Sequence, residues 1–592
     1  METVPKQTPP RAGIAWQAMN LPARACALAA RVPAPLLVAI ICFVTYTYKP
    51  LLQGSNDNLP LRFGALLLAR SGSLDFSSLP AGVTGYYSFT RRPDGSVAAH
   101  TPVGTAVTGA VVFLAARVAG MEFIPSNIVF LDWLAASLYC AAAAGMLTWL
   151  VRREGRLTAV FLGLAFGLGT ATWSCASRMM WQHTGALFWL LTALCLFDSE
   201  GRHQRRTIAG TLALAMTVWC RPFMAPGCAV ILGARLLRSW LALGLGLAVA
   251  VAGSAMWTIY NYMTTGSLLG PYVASAMAFA YRLLDWQTFL GNIAGSLVSP
   301  NRGMFIFAPV LLLAVPALIF VAVRRQQHPR EVRIAVAALL LVVARGATPL
   351  WHGGHCYGSR YMLDVSPLLL LVMAPLTRRL LTGGWLRAAV AWGLLSLSVF
   401  IQFLGVSREW VSWNVAMKMT EPANAWNWRR SQIMHCLTYG ESTAGPLGEP
   451  SLYSLPAGAV LPLKDKFGTP HIRYGFAEYK PWGTWLIPPR SGLAVNLPAP
   501  GSIAVQVRAG APPQPFDPTR IALYWNGRYA GEWPIEQSDP ERAESPWIPV
   551  PKEFTRSGIN RIELRVSRAH YGAAAATEPL GAAIHSIAIR PR

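Results

Sequence analysis

NIVFLDWLAASLYCAAAAGMLTWL (127–150), closed by VRREGR (151–156), decides how the rest of the chain is read. The first part is an apolar run, broken only by Asp132, of the length a helix needs to cross the ~30 Å hydrocarbon core of a bilayer. The second sets Arg152, Arg153 and Arg156 directly after it, and short loops rich in Lys and Arg stay on the cytoplasmic side of membranes. A span followed by a basic loop gives a crossing and its direction together.

Working outward, the same alternation recurs. Spans are expected at about 34–52, 127–150, 158–176, 183–199, 207–220, 222–235, 239–259, 304–323, 334–350, 362–377 and 388–405, roughly eleven in all. Further basic clusters follow at intervals: GRHQRR (201–206), ARLLR (234–238), RRQQHPREVR (324–333) and RRLLTGGWLR (378–387). This topology puts a tail of residues 1–33 in the cytoplasm and everything after 405 outside. The tail is basic and no small-residue cleavage site follows the first span, so it reads as an uncleaved anchor. GTAVTGAVVFLAARVAG (104–120) is short and carries Arg117. It reads as a helix at the outer interface. Composition agrees with a membrane protein: 53% of residues are hydrophobic and 13% charged. The formal charge of +24 follows the loops, so it is a topology signal and nucleic acid is not an expected partner. No internal repeat stands out, which weighs against an inverted-repeat transporter. Most cysteines lie in spans as small hydrophobes. Cys356 and Cys436 are expected outside, where they could pair.

The expected fold is therefore mainly α: a polytopic membrane helix bundle over 34–405, with external loops at 53–126 and 260–303. A Trp-rich interfacial linker follows at 406–470, holding Trp410, Trp413, Trp426 and Trp428 among charges, as headgroup-level segments do. Over 471–592 the pattern turns to β. SIAVQVRAG, IALYWNGRYAGEWPI and INRIELRVS alternate apolar and polar residues, and Asn526-Gly527 is a two-residue hairpin signal. A periplasmic β-sandwich or jelly-roll is expected there, acting as a cap or as a sugar- or acceptor-binding module.

The candidate chemistry gathers at the outer face. Asp57 in GSNDNLPLR (54–62) is a carboxylate at the mouth of the bundle. It reads either as a catalytic base or as the cap of a helix beginning near Leu59. Asp75 and Asp94 read as turn residues. WHGGHCYGSRYMLD (351–364) packs His352, His355, Tyr357, Arg360 and Tyr361 around glycines, and polar groups in a bundle are costly unless paired or functional. The spacing of His352, His355 and Cys356 offers no fourth zinc ligand, so neither a metal nor a cofactor is supported. Anion recognition fits better: Arg360 presents a planar fork to phosphate oxygens, with His and Tyr donors beside it. Arg302, Arg178, His183 and His100 are further candidates for the same pocket. Asp132 and Asp364 read as ion-pair partners between helices, with Arg360 as one possible partner.

NDNLPLRFGALLLARSGSL, the HTPVG segment and CYGSRYMLDVSP resemble stretches of the GT-C superfamily of membrane glycosyltransferases. The resemblance runs over about 34–405, toward the branch of protein mannosyltransferases and the lipid A aminoarabinose transferase (glycosyltransferase family 39-like). It rests on one acidic residue early in the first external loop and on topology. It implies a sugar donor carried on a polyprenyl phosphate in the membrane lipid and an envelope acceptor (lipid, glycan or protein). The implied reaction is an inverting transfer at the periplasmic face of a bacterial inner membrane. Asp57 would be the base, and Arg360, aided by His352, His355 or Arg302, would hold the departing phosphate. This chain has Asp-Asn at 57–58 where many relatives have Asp-Glu, so a second carboxylate is not carried over. A lipid-linked oligosaccharide ligase or polymerase, and a lipid or polysaccharide transporter, are the competing readings.

Overall fold

The computed structural model describes residues 32–48, 56–79, 81–84, 87–92, 94–198, 204–236, 240–270, 273, 286–348, 350–408, 410, 414, 417, 419, 421–439, 460–463, 472–474, 483–486, 490–510, 519–536, 539, 541–567 and 582–592. The described helices fall within 34–439, and the strands of the two large sheets within 460–591.

The expectation of about eleven membrane crossings is not what these helices are. Among the described residues only two are long and apolar enough to span a bilayer, Asn127–Leu150 and Trp385–Ser407. Two of the other apolar runs break because hydropathy continues where the helical hydrogen-bond ladder does not. The run at 158–176 is an α-helix only over Arg156–Gly169 and then changes to a π-helical turn, Thr172–Ala176. At 1.5 Å per residue such a helix reaches about 21 Å, short of a ~30 Å core. The run at 304–323 divides into Met304–Phe307, a 3-10 turn Pro309–Leu313 and Ala314–Val323, with Pro309 unable to donate at the break. Ser366–Thr382 contains Pro375 and carries Arg378 and Arg379 near its C-terminal end.

The helical core is continuous. Leu147, Phe161, Phe166, Leu190, Ala338 and Leu370 have no exposed surface and belong to one cluster. A second cluster forms around the Leu59–Ser71 helix, with Leu61, Phe76, Phe113 and Met180. The Gly104–Val118 helix packs on this unit without a side chain at its first residue. A Cβ on Gly104 would lie 2.5 Å from the Cys220 backbone nitrogen. Its other end is tied by Arg117, whose Nη1 donates to the Ala69 and Arg70 carbonyls at 2.6 and 2.9 Å.

The bundle has two chemically distinct ends. At one, Asp198 accepts from Arg152 at 3.0 Å and Arg330 at 2.9 Å, Arg378 lies 3.7 Å from Glu154, and Arg156 donates to the Val32 carbonyl. Basic clusters far apart in sequence thus meet. The Pro125–Leu150 helix runs from this end to Asp132, which pairs with Arg62 at 2.9 Å and accepts from the Met180 N–H at 2.9 Å. Beyond Asp132 lie the candidate site residues.

Apart from a short hairpin of β1 (Phe89–Arg91) and β2 (Val97–Ala99), the described strands lie toward the C-terminus, where two five-stranded antiparallel sheets share one core. One pairs β10 (Ile548–Val550), β7 (Ile503–Gly510), β12 (Ala583–Pro591) and β3 (Val460–Pro462) in that order, with β5 (Thr484–Trp485) also on β12. The other runs β4 (Ile472–Tyr474), β6 (Arg490–Leu497), β11 (Gly558–Val566), β8 (Arg520–Trp525), β9 (Arg528–Pro534). Asn526 and Gly527 join β8 to β9 with φ of 49° and 83°, the left-handed pair a type I′ turn requires. The Asn526 side chain then donates to Asn560 Oδ1 and accepts from the Arg561 N–H, both at 2.8 Å. The described part of 421–439 packs back on the helical unit: Asn301 donates to the Asn424 and Asn427 carbonyls, and Gln432 bonds Gly358.

Candidate functional site

Asp57 lies on a 3-10 turn, Asn56–Asn58, at the start of the Leu59–Ser71 helix. It does not act as that helix's cap. The cap position is Asn58, which makes no capping bond and instead donates Nδ2 to the Met180 carbonyl at 2.7 Å. That bond anchors the turn to the core and leaves the Asp57 carboxylate, about one quarter exposed, facing the mouth of the bundle. Arg360 Nη1 donates to its Oδ2 at 3.0 Å, and the Tyr87 hydroxyl donates to its Oδ1.

The glycines of the 351–359 loop explain how Arg360 is held. Gly353 and Gly354 adopt φ of 72° and 61°, a region costly to residues with a Cβ. This conformation turns successive carbonyls toward two guanidiniums. Arg360 Nη2 donates to the Gly353 carbonyl at 2.8 Å, while Arg302 donates to those of His352 and Gly354, both at 2.8 Å. Two rings complete the seat of Arg360: its Cζ lies 4.4 Å from the Trp181 centroid and 5.0 Å from that of Tyr361.

Behind Tyr361 is a buried charge cluster. Asp364 accepts from Arg221 Nε at 2.6 Å and Arg345 Nη2 at 3.3 Å, and its other oxygen meets His183 Nδ1 at 2.9 Å. Arg221 also reaches Gln182 Oε1 at 3.2 Å. The Arg221 and Arg345 Cζ atoms lie 5.1 and 4.8 Å from the Tyr361 centroid. Three guanidiniums therefore surround one ring, and among the described residues Asp57 and Asp364 are carboxylates in contact with them. Such an arrangement favours an anion at the open side of Tyr361.

The sequence candidates separate into three groups. Asp57, Arg360, Tyr361 and His183 are brought together. His352 and Arg302 support the loop from behind. His352 is buried and its Nδ1 accepts from the Gly354 N–H at 3.2 Å. Burial, reinforced by the Arg302 and Arg360 guanidiniums, pushes its imidazole down to about 4. Arg302 also donates to Asn301, Gln432 and Asn414 oxygens, so its donors are occupied by loop contacts. His355 is exposed beside them. The remaining candidates make contacts of their own. Tyr357 is buried and donates to the Ile401 carbonyl at 2.8 Å. Arg178 donates to the Tyr46 carbonyl at 3.2 Å. His100 is tied by its backbone N–H to the Ser88 carbonyl, at the edge of a small cleft with Trp219, Trp257 and Tyr260. Asp364 pairs with Arg221 and Arg345 rather than with Arg360. Cys356 is a free thiol, so no bridge to Cys436 forms. Asp75 and Asp94 each bond the serine two residues on, closing local turns.

Arg221, Arg345, Trp181 and Tyr87 were not among the sequence candidates. The first two had a signal: each interrupts an apolar run (VWCRPFM, LVVARGA), where an arginine is costly without a partner. Tyr87, in YYSFTRR, had none. Comparison of the chain with protein-family models, curated proteins and solved structures finds no match.

Proposed function

We propose that this protein is a membrane glycosyltransferase that moves a sugar from a polyprenyl-phosphate donor to an envelope acceptor. The observation that carries the proposal is the contact between Asp57 and Arg360, which lie 303 residues apart in sequence and 3.0 Å apart in space. It sets a partly exposed carboxylate beside a guanidinium seated in a surplus of positive charge. Transfer from a phosphate-linked sugar needs both. Asp57 takes the proton from the acceptor hydroxyl as the oxygen attacks the anomeric carbon. The bond from that carbon to the phosphate oxygen breaks on the opposite face, so configuration inverts. The electron pair leaves on the polyprenyl phosphate, and Arg360, with Arg221 and Arg345 behind Tyr361, stabilises the charge that builds there. A membrane position is supported by the helices Asn127–Leu150 and Trp385–Ser407. Apolar side chains exposed at helical spacing, such as Leu36, Ile40 and Val44 or Leu397, Phe400 and Phe403, add to that support.

The test follows transfer of radiolabel from a polyprenyl-phosphate sugar to envelope lipid, glycan and protein by the purified chain. Asp57→Asn, with an unchanged melting temperature, is expected to lose about 10²–10⁴-fold in rate. Arg360→Ala is expected to lose about 10²–10³-fold. Full transfer by folded Asp57→Asn refutes the assignment of the base. No binding of polyprenyl phosphate by the wild-type chain refutes the donor.

A further inference from the structure

We infer that Tyr87 is a positioning residue for the Asp57 carboxylate. The inference rests on the reading of Asp57 as the base. A carboxylate on a short surface turn can rotate about its terminal bond, and a base that rotates is aligned with its proton for only part of the time. Here the two oxygens are held by different elements. Arg360 takes Oδ2 from the buried side, itself clasped between Trp181 and Tyr361. The Tyr87 hydroxyl takes Oδ1 from the exposed side. Tyr87 stands just before the Phe89–Arg91 and Val97–Ala99 hairpin, and the neighbouring Ser88 carbonyl accepts from the His100 N–H at 2.8 Å. The phenol therefore comes from a braced turn. Tyr87 is 64% exposed, so core packing alone does not account for its place. With each carboxylate oxygen engaged by a different element, rotation of the group about its terminal bond is restrained.

Removing the hydroxyl while keeping the ring separates this role from packing. Among the described residues, Arg360 and Tyr87 bond the Asp57 carboxylate and His355 and Cys175 lie within its electrostatic reach, and Tyr87→Phe alters one donor among them. In the transfer assay Tyr87→Phe is expected to lower kcat about tenfold or more with KM for the donor unchanged. Tyr529→Phe, on the distant sandwich, is expected to match the wild type. A Tyr87→Phe enzyme with wild-type kcat overturns the inference while leaving Asp57 as the base. Retention of transfer by Asp57→Asn overturns the base instead.

Discussion

Asp364 has no exposed surface and holds together His183, Arg221 and Arg345. Neutralising it leaves two buried guanidiniums with no carboxylate between them, and breaking a buried ion pair from one side costs about 3–5 kcal/mol. Asp364→Asn is therefore expected to lose about that much stability, read as a lowered midpoint in denaturant. Asp57→Asn, whose carboxylate is partly exposed, should lose far less and show its effect in transfer. His352 gives the pH dependence. Its folded value, about 4, lies below the ordinary imidazole value of about 6.5. Between these limits the unfolded chain binds the extra proton, so stability falls as pH falls through that window. Denaturant midpoints at a series of pH values should show this slope in the wild type and a flatter one in His352→Gln. At this scale the sequence revealed residue types more readily than partners. The 351–364 cluster was legible because charge and glycine crowd together there. The Asp57–Arg360 pair was not, because a contact across 303 residues leaves no spacing to read.

Among the elements, the closest approaches are set by glycines, and they make sharp predictions. Gly104 lets the first turn of its helix meet the Trp219–Cys220 backbone, which cannot yield as a flexible side chain does. Gly104→Ala is expected to destabilise by about 1–3 kcal/mol. Gly233, in the Ala225–Leu236 helix, has nothing within 4 Å of an added Cβ, so Gly233→Ala should be neutral or stabilising by up to about 1 kcal/mol. Thermal melts of the two variants decide whether helix contact, rather than helix propensity, governs this part of the molecule. The same distinction explains what sequence reading achieved. The Asn526–Gly527 hairpin was legible because its rule is local. Helix ends were not, because apolar runs at 158–176 and 304–323 continue through a π-helical turn and a proline break. The short strands β3 and β5 had too few residues to show alternation.

Over the whole molecule, the two bilayer-length helices run between the same two ends. Leu150 meets Arg330, and Trp385 begins just beyond the segment where Arg378 approaches Glu154. Their other ends lie near Asp132 with Met180, and near Ile401 with Tyr357. One end therefore gathers Arg152, Arg330 and Arg378, and the other gathers Asp57, Arg360 and Asp364. In the proposed membrane setting such ends are distinguished: translocating a basic cluster is disfavoured, so the proposal predicts the Arg152 end in the cytoplasm and the Asp57 end outside. Placing the site outside matters for the proposed reaction, since the sugar head of the donor and the envelope acceptor must meet there. Engineered cysteines read this directly in a background with the native cysteines replaced, since Cys195 is only half-buried. Arg430→Cys, at an exposed position beyond the second helix, should react with a membrane-impermeant maleimide in intact cells. Arg153→Cys, exposed at the basic end, should react only after permeabilisation. Labelling of Arg153→Cys in intact cells would reverse the orientation and put the Asp57 carboxylate on the cytoplasmic side, where a periplasmic acceptor cannot reach it. Equal labelling of both sites in intact cells would mean that neither helix separates the two ends, and would leave the proposed reaction without the membrane it requires.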